Sequence, residues 1–151
     1  MSKLLEYSVM RAVWPHDAAA LRAVRTAVFI DEQHVPAALE WDGMDEMCAH
    51  VLARNIDKTA IGTGRLLPDR KIGRMAVVPP ARGHGVGAAI MRELLALARE
   101  RGYAEVELSA QTHAIGFYEK FGFVAFGDEY LDAGIPHRSM RLRLIAESGG
   151  G

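Results

Sequence analysis

Short apolar runs that alternate with polar residues predict seven β-strands along this chain. In the fifth run, Val106 and Leu108 alternate with charged residues, which is typical of a strand with one buried face. Pro15 ends the first run, and the turn segments 55–58 and 68–70 separate the second, third and fourth. The second and third strands are therefore expected to pair as an antiparallel hairpin. The predicted strands are residues 7–14, 49–55, 60–67, 71–78, 104–109, 123–131 and 137–145.

Apolar residues at helical spacing predict three helices. Asp17 is expected to cap the first helix, because an Asp side chain can accept a hydrogen bond from the first helical turn. Gly102 and Gly122 are expected to end the second and third helices, because glycine adopts the left-handed conformation of a C′ position at little cost. The predicted helices are residues 17–30, with Leu21, Val24 and Val28 on one face, residues 87–101, with Ile90, Leu94, Leu97 and Ala98 on one face, and residues 113–121.

The order of these elements predicts a mixed α/β fold in one domain. A strand, a helix and an irregular acidic segment, residues 31–47, precede three strands, and then helix, strand, helix and two strands follow. This order favours a sheet that is antiparallel in its middle and has one parallel crossover. Because no repeat or linker divides the chain, residues 1–146 are expected to form a single domain and residues 147–151 a frayed tail.

Composition narrows the class of protein. Hydrophobic residues make up 50% of the chain and charged residues 25%, which is ordinary for a soluble globular domain. The net charge of -1 gives no basic field, so neither nucleic acid nor a membrane is expected as a partner. The N-terminal residues are not expected to form a signal peptide, and no apolar run approaches about 20 residues. The single cysteine, Cys48, excludes an internal disulfide and favours a buried inert thiol, so we expect a cytoplasmic protein.

The stretch from Arg82 to Ala88, here named the glycine cradle, lies between an apolar strand and a long amphipathic helix. The first turn of a helix has unpaired N–H groups and a partial positive charge. Gly83, Gly85 and Gly87 would let the backbone approach an anion closely, and Arg82 would add a positive charge. The sequence therefore predicts a phosphate site, with a ligand-free strand-to-helix turn as the alternative.

Two common phosphate motifs fit the glycine cradle poorly. A Walker-type loop needs Gly-Lys followed by Ser or Thr, and that tripeptide is absent. A dinucleotide fingerprint needs its third glycine one residue later and a parallel βαβ unit around it. The cradle is therefore expected to belong to another class of phosphate site.

Residues 77–87, V-x-P-x-x-R-G-x-G-V-G, resemble motif A of the GNAT acyl-CoA N-acyltransferases. Residues 111–123 resemble the second signature of that family, N-x-x-A-x-x-[FL]-Y-x-x-x-G-F, with Gln111 in place of the asparagine. The two motifs have the order and separation that the family shows, and the element order agrees over residues 4–145. Three further segments resemble the ElaA-type branch of the family: residues 28–33, 41–45 and 134–140.

The resemblance implies the GNAT fold, in which a mostly antiparallel central sheet splays apart between its fourth and fifth strands and is flanked by helices. It also implies acetyl-CoA (coenzyme A) as the acyl donor, and no metal. Main-chain groups of the fourth strand would pair with the pantetheine arm, and N–H groups of the cradle would hold the pyrophosphate. The residues implied in donor binding are Met75, Ala76, Val77, Arg82, Gly83, His84, Gly85, Val86, Gly87, Ala88, Gln111, Phe117 and Tyr118.

The resemblance gives Tyr118 the role of general acid for the departing thiolate. The conjugate acid of an alkyl thiolate has a pKa near about 8.5 and a phenol one near about 10. A tyrosine hydroxyl within reach can therefore protonate or stabilise the sulfur, although Tyr118 as a plain core aromatic is the alternative. Glu107 on the fifth strand and His113 before the short helix are both candidates for the general base. Their structural alternatives are a solvated strand charge and a helix cap.

The acceptor site that the family implies lies between the first helical region and the last strands. Acidic side chains there are expected to attract a cationic amine, and Trp41 is expected to add a cation–π contact. His137 follows a Gly-Ile-Pro turn, and a structural hydrogen bond is its alternative role. Small-molecule amines and protein amines both remain open as acceptors, and so does a homodimer. The candidate acceptor-binding residues are Glu32, Gln33, Trp41, Asp42, Asp45, His50 and His137.

These motifs together predict an N-acyltransferase that moves an acetyl group from acetyl-CoA to a primary amine by direct attack. Cys48 lies outside both motifs, which disfavours a covalent cysteine intermediate. Two other hypotheses stay open. One is a non-catalytic module that binds CoA as a sensor or interaction partner, and the other is a nucleotide-binding protein of another class.

Overall fold

A computed structural model describes residues 5–144 of the chain. The described strands are β1 (Tyr7–Ala12), β2 (Ala49–Asn55), β3 (Ala60–Leu66), β4 (Lys71–Val77), β5 (Glu105–Gln111), β6 (Val124–Asp132) and β7 (Ile135–Arg143). The helices are α1 (Ala18–Arg25), the single turn α2 (Ala37–Glu40), α3 (Val86–Glu100) and α4 (Ile115–Glu119), and a π-helical segment (Thr26–Glu32) continues α1. The strands form one sheet in the order β1-β2-β3-β4-β5-β7-β6, which confirms the predicted mixed α/β class.

The sheet separates between β4 and β5, as the resemblance implied. These two strands are parallel and pair only at Lys71 with Glu107 and at Ile72 with Leu108. On the other side of β4, Ala76 pairs with Thr63 and Gly73 with Arg65, so two residues of β4 face one residue of β3. Such a bulge bends a strand, and it accounts for the divergence of β4 from β5 beyond Ile72.

Helices cover both faces of the sheet. On one face, Gly62 and Gly64 of β3 lie so close to α3 that a Cβ at either position would come within 3.0 Å of its side chains. Because neighbouring residues of a strand point to opposite faces, Thr63 and Arg65 face the other side. There Val24 of α1 packs with Ala76, the partner of Thr63. The core therefore has two layers of helix around one sheet.

The first strand is shorter than predicted and ends at Ala12 instead of residue 14. The cause is a turn in which the Val13 N–H donates to the Asp17 carboxylate at 2.8 Å and the Asp17 N–H donates to the Val13 carbonyl at 2.7 Å. Asp17 does occupy the position before α1, but its side chain makes no hydrogen bond to the first turn of that helix. The predicted side-chain cap is therefore wrong.

The predicted first helix changes its winding instead of running to residue 30 as a regular α-helix. It is α-helical to Arg25 and π-helical from Thr26 to Glu32. The acidic segment that follows is also more ordered than predicted, because it contains α2 and a 3₁₀ turn over Asp45–Met47. Glu40 and Asp45 in it are 2% and 6% exposed, so the segment is held by buried charges.

The glycine C-caps agree with prediction. After α3, the Tyr103 N–H donates to the Ala98 carbonyl, and Gly102 has a φ of +73°. Gly122 has a φ of +97°, and the Phe123 N–H donates to the Tyr118 carbonyl in the same pattern. The helix predicted over 113–121 is shorter, with a 3₁₀ turn at Thr112–Ala114 followed by α4.

A two-residue turn joins β6 and β7. Ala133 and Gly134 both have positive φ, and Asp132 pairs with Ile135, which is the geometry of a tight hairpin. Both strands thus extend further toward this turn than predicted. The predicted tail, 147–151, and the end of the last predicted strand at 145 lie outside the described residues. Among the residues from 5 to 144, no helix has the length and apolar character needed to cross a membrane.

Candidate functional site

A cavity of about 1070 Å³ opens where β4 and β5 separate. Its walls come from the π-helical segment, β3, β4, the end of β5, the 3₁₀ turn before α4 and the β6–β7 hairpin. Met75, Ala76 and Val77 of β4 line it, as does Tyr118 of α4. The two sequence motifs therefore meet at one cavity, and the predicted acceptor region borders the same space.

The glycine cradle has the backbone geometry that an anion site needs. Gly83 and Gly85 each have a φ of +82°, and Gly85 directly precedes α3. The first helical bond is donated by the Ala89 N–H to the Gly85 carbonyl at 3.0 Å. Within residues 5–144, the N–H groups from Gly85 to Ala88 donate no hydrogen bond. Four donors at the positive end of a 15-residue helix are thus available to an anion.

Phe117 links the cradle to the second motif. A Cβ added at Gly87 would lie 3.5 Å from Cζ of Phe117, so this ring packs beside the first turn of α3. Phe117 also contacts the Tyr118 ring edge-on, with centroids 5.1 Å apart. This packing places Tyr118 at a fixed position near the cradle.

Arg82 does not present a free charge to the cradle. Its Nη1 and Nη2 donate to the two carboxylate oxygens of Glu32 at 2.8 and 2.6 Å, and its Nε donates to the Val77 carbonyl at 2.9 Å. The hydrogen bond and charge of Arg82 lower the pKa of Glu32. Arg82 was expected to bind phosphate and Glu32 to attract the amine. In the structure the two side chains pair with each other, so their charges are neutralised.

Tyr118 has an apolar environment and an unpaired hydroxyl. Phe117 and Phe123 contact its ring, and burial raises its pKa to about 12. Among the described residues its hydroxyl makes no hydrogen bond, yet the side chain lines the cavity. Such a phenol stays protonated and can donate to a group that enters the cavity.

Gln111 connects the end of β5 to the π-helical segment. Its Nε2 donates to Oε1 of Gln33 at 2.8 Å, and both side chains line the cavity. Gln111 therefore ties the end of β5 to the π-helical segment.

The two predicted base candidates have different surroundings. Glu107 accepts two hydrogen bonds from Arg141, at 3.0 and 3.2 Å, and is not among the residues that line the cavity. His113 lies in the 3₁₀ turn before α4, is exposed, and lines the cavity. The cavity thus contains the histidine candidate but not the carboxylate.

Most of the predicted acidic charges belong to a group of six paired side chains, here named the ionic cluster: Arg25, Glu40, Asp42, Asp45, Arg65 and Arg74. Arg25 donates to Glu40 at 2.7 Å and to Asp45 at 2.6 Å. Arg65 donates to Asp45 at 2.9 Å and to Asp42 at 2.5 Å. Three guanidinium groups thus balance three carboxylates. Arg74 Nε lies 3.0 Å from Glu40 Oε2 without hydrogen-bond geometry, so that contact is electrostatic.

The pairing changes the acidity of two members of the cluster. The hydrogen bond from Arg65 holds the pKa of Asp42 well below its usual range. Burial alone would raise the pKa of Asp45, but the hydrogen bonds and charges of Arg25 and Arg65 outweigh it and lower that pKa. These carboxylates are ionised and already neutralised, so the structure does not offer them as free charges for an amine.

Trp41 and His50 support the cluster instead of lining the cavity. The Trp41 ring lies under the guanidinium carbons of Arg25 and Arg22, at 5.0 and 5.4 Å from its centroid. His50 is 2% exposed, and its Nε2 lies 2.8 Å from the Asp45 carbonyl. Neither side chain is among those around the cavity, so the amine-binding wall predicted at Trp41 does not border it.

His137 does lie at the cavity. The side chain is 8% exposed, its Nδ1 lies 2.6 Å from the Ile135 carbonyl, and its ring stacks on Tyr130 with centroids 6.0 Å apart. Tyr130 in turn shares a short hydrogen bond with Ser109 of β5. The last two strands thus contribute an ordered polar wall opposite the π-helical segment.

Sequence reasoning missed the arginines of the ionic cluster. Arg25 lies four residues after Leu21 and therefore falls on the same buried helix face, where it is 1% exposed. That position alone indicates a buried carboxylate partner, although not which one. Arg65 is the one charged residue of β3, and Arg74 lies at the bulge of β4 with a φ of +52°.

Among residues 5–144, no group of three or more His, Cys, Asp or Glu side chains is arranged to hold a metal ion.

The chain matches the family model described as an acetyltransferase (GNAT) domain over residues 16–144. It is 39% identical over 121 residues to the uncharacterized N-acetyltransferase YjcF of Bacillus subtilis, which covers 78% of this chain and 86% of that protein.

Solved structures of acyltransferases are also similar to this chain. An acyl-CoA N-acyltransferase from Pseudomonas aeruginosa superposes with a TM-score of 0.77 at 34% identity, covering 91% of this chain and 98% of the other. Escherichia coli ElaA superposes with a TM-score of 0.77 at 30% identity, over the same fractions of the two chains, 91% and 98%. Each of these similarities therefore covers most of the chain.

Proposed function

Because the chain belongs to the GNAT family of acetyltransferases, we propose that it transfers an acetyl group from acetyl-CoA to a primary amine by direct attack. The observation that carries this proposal is the unpaired hydroxyl of Tyr118 in an apolar wall of the cavity, beside a cradle of unpaired backbone donors. A small-molecule amine or a protein amine is the acceptor.

The residues present fit the donor. The N–H groups from Gly85 to Ala88 would hold its pyrophosphate at the N-terminus of α3. Beyond Ile72, β4 does not pair with β5, so one edge of its main chain from Gly73 to Val77 is open toward the cavity. Those peptide groups would pair with the amides of the pantetheine arm.

When bound, acetyl-CoA supplies a thioester whose carbonyl carbon accepts the amine. Tyr118 holds its proton through the physiological range, because burial raises its pKa to about 12. It therefore acts as a neutral donor to the charge that develops on the sulfur, and its proton passes to the sulfur as the C–S bond breaks. The apolar surroundings strengthen such a hydrogen bond.

The chain's single cysteine does not compete for the acetyl group. Cys48 is absent from the cavity wall, and its Sγ donates to the Met44 carbonyl at 3.2 Å. Burial raises the pKa of this thiol, which lowers its thiolate fraction and its nucleophilicity. Direct attack by the amine is therefore favoured over a covalent enzyme intermediate.

Replacing Tyr118 by Phe tests the proposal, because it removes only the hydroxyl. With acetyl-CoA and a panel of primary amines, we expect kcat for thiol release to fall about 100-fold. The thermal stabilisation by acetyl-CoA should persist, since the cradle is unchanged. Tyr103→Phe is the matched control, because its hydroxyl lies outside the cavity, 3.5 Å from the Pro68 carbonyl.

Three results would contradict parts of this proposal. Undiminished turnover by Tyr118→Phe would remove Tyr118 from the acid role. Protection by acetyl-CoA without thiol release for any amine would favour the non-catalytic CoA-binding alternative. Protection by ATP or NAD, and not by CoA, would favour a nucleotide-binding protein of another class.

A further inference from the structure

We propose that His137 is the general base that removes the proton from the acceptor amine. This inference rests on the proposed function and names a further catalytic residue for it. It depends on the hydrogen bond that fixes one ring nitrogen, on the position of the ring in the cavity, and on the surroundings of the other base candidates.

The hydrogen bond at Nδ1 determines the tautomer of His137. Nδ1 lies 2.6 Å from the Ile135 carbonyl oxygen, which can only accept a hydrogen bond. Nδ1 must therefore carry the hydrogen, and in the neutral ring Nε2 carries the lone pair. Within residues 5–144, Nε2 has no hydrogen-bond partner, and it is not among the buried polar atoms without a partner. Nε2 is therefore open to the cavity that the side chain lines.

The ring is held in place from three strands. His137 pairs with Gln111 of β5 on one side and with Tyr130 of β6 on the other. The Tyr130 ring stacks on it with an interplanar angle of 21°. The tight turn at Ala133 and Gly134 fixes the hairpin directly before Ile135 and Pro136. A base in a fixed orientation on paired strands satisfies the geometric requirement for proton transfer.

Each of the other candidates for the general base lacks either access to the cavity or a fixed, unpaired lone pair. Glu107 is clamped by Arg141 and does not line the cavity. His113 lines the cavity but is exposed, and neither of its ring nitrogens has a hydrogen bond in the described chain to fix a tautomer. Glu32 and Asp42 line the cavity with their charges already paired to arginine. His137 alone among these five combines access with a fixed lone pair.

His137 Nε2 takes one proton from the acceptor ammonium, which frees the nitrogen lone pair. The N–C bond to the acetyl carbon then forms, the C–S bond breaks, and Tyr118 delivers a proton to the sulfur. The acylated nitrogen releases its second proton to solvent. The products are the amide and the free thiol, while solvent returns a proton to Tyr118 and removes one from His137, so one proton is released overall.

The titratable groups near His137 are Tyr130 of β6, whose ring stacks on it, and Asp132 of the hairpin and His113 of the 3₁₀ turn, which line the cavity. Gln111 of β5 and Gln33 of the π-helical segment face the same space but carry no charge. Asp132→Asn is therefore the matched control for any pH effect, and His113→Gln tests the rival base candidate.

Replacing His137 by Gln is the activity test. At neutral pH we expect kcat for an alkylamine to fall about 100-fold, with the KM for acetyl-CoA within about threefold. The defect should shrink as pH approaches the pKa of the amine itself, because the acceptor then loses its proton without help. A merely structural role would leave a defect that does not depend on pH. Asp132→Asn should stay within about threefold of the wild type.

A second measurement uses the wild-type protein and needs no turnover. The ¹⁵N chemical shifts of the His137 ring report which nitrogen carries the hydrogen in the neutral form. We expect a protonated Nδ1 and a bare Nε2. A hydrogen on Nε2 of the neutral ring would overturn the assignment, even if the Gln variant fails to fold.

The outcomes separate this inference from the proposed function. Wild-type turnover with an unimpaired His137→Gln variant, or with a loss that moves instead to His113→Gln, overturns the role of His137 and leaves the acetyl transfer intact. Thiol release by no amine overturns the proposed function, and the assignment falls with it. A pH-dependent loss confined to His137→Gln, together with the bare Nε2, supports both.

Discussion

The glycine cradle and the ionic cluster treat their polar groups in opposite ways, although Arg82 of the cradle lines the same cavity as four members of the cluster. In the cradle, four backbone N–H groups from Gly85 to Ala88 donate no hydrogen bond within the described residues. In the ionic cluster, three guanidinium groups and three carboxylates pair with one another, and Glu40, Asp45 and Arg65 are almost fully buried. Unpaired donors indicate a site for a ligand, whereas a neutralised cluster indicates structural support.

The comparison shows why density of charge alone is a poor guide to a binding site. The acidic segment has many carboxylates in the sequence, yet Asp42 and Asp45 are neutralised by arginines that lie 20 or more residues away along the chain. The cradle has little charge, and Arg82, its one arginine, is paired with Glu32. Under the proposed function, its peptide groups would bind the donor.

Removing Asp45 should produce the largest loss of stability, because it leaves two buried guanidinium groups without a shared partner. We expect Asp45→Ala to lower the free energy of unfolding by about 3–5 kcal/mol in urea titrations. Glu46→Ala is the control at the exposed neighbouring position, with an expected change within about 0.5 kcal/mol. Equal effects of the two variants would show that the cluster does not support the fold.

Acid should remove part of the same stabilisation. The pKa values of Asp42 and Asp45 lie below their usual range in the folded protein. Their contribution is therefore present above the unfolded pKa of about 3.9 and is lost as pH falls through the lower folded values. Urea titrations at decreasing pH should show a falling free energy of unfolding, with a shallower fall in Asp42→Asn. An equally steep fall in the Asp42→Asn variant would show that the Arg65–Asp42 pair is not the source of the pH-dependent stability.

In the cradle, a backbone change should have a smaller effect on stability. Gly85 has a φ of +82°, so Gly85→Ala is expected to cost about 1–2 kcal/mol from the left-handed conformation. Gly87→Ala is the matched control, because Gly87 is helical and an added Cβ would make only ordinary contact with Phe117 at 3.5 Å. That variant should gain about 0.5–1 kcal/mol from helix propensity. Equal effects at the two positions would contradict the backbone account of the cradle.

The parts of the fold that were predictable depend on local pattern. The strands, the C-caps at Gly102 and Gly122 and the divergence of β4 from β5 follow from residues close in sequence or from a motif that carries them. Gly83 and Gly85 were predictable as cradle residues because a positive φ is a property of the residue itself.

The rest depends on tertiary pairing, which a single sequence does not display. Trp41 was predicted to bind an amine, but Arg25, sixteen positions earlier, occupies its ring. Asp17 was predicted to cap α1, but its carboxylate accepts a hydrogen bond from the Val13 N–H instead. The fixed tautomer of His137 depends on a carbonyl whose direction is set by the hairpin. In each case the side chain contacts a distant residue or a backbone group that the local sequence pattern does not indicate.

The most direct test of the account is the exchange of the backbone amide hydrogens from Gly85 to Ala88, followed by NMR with and without acetyl-CoA. In the free protein these four amides should exchange rapidly, because nothing in the described chain accepts from them. With acetyl-CoA they should slow strongly, whereas ATP and NAD should leave them unchanged. If acetyl-CoA binds while these amides continue to exchange rapidly, the cradle does not hold the donor and the account is wrong.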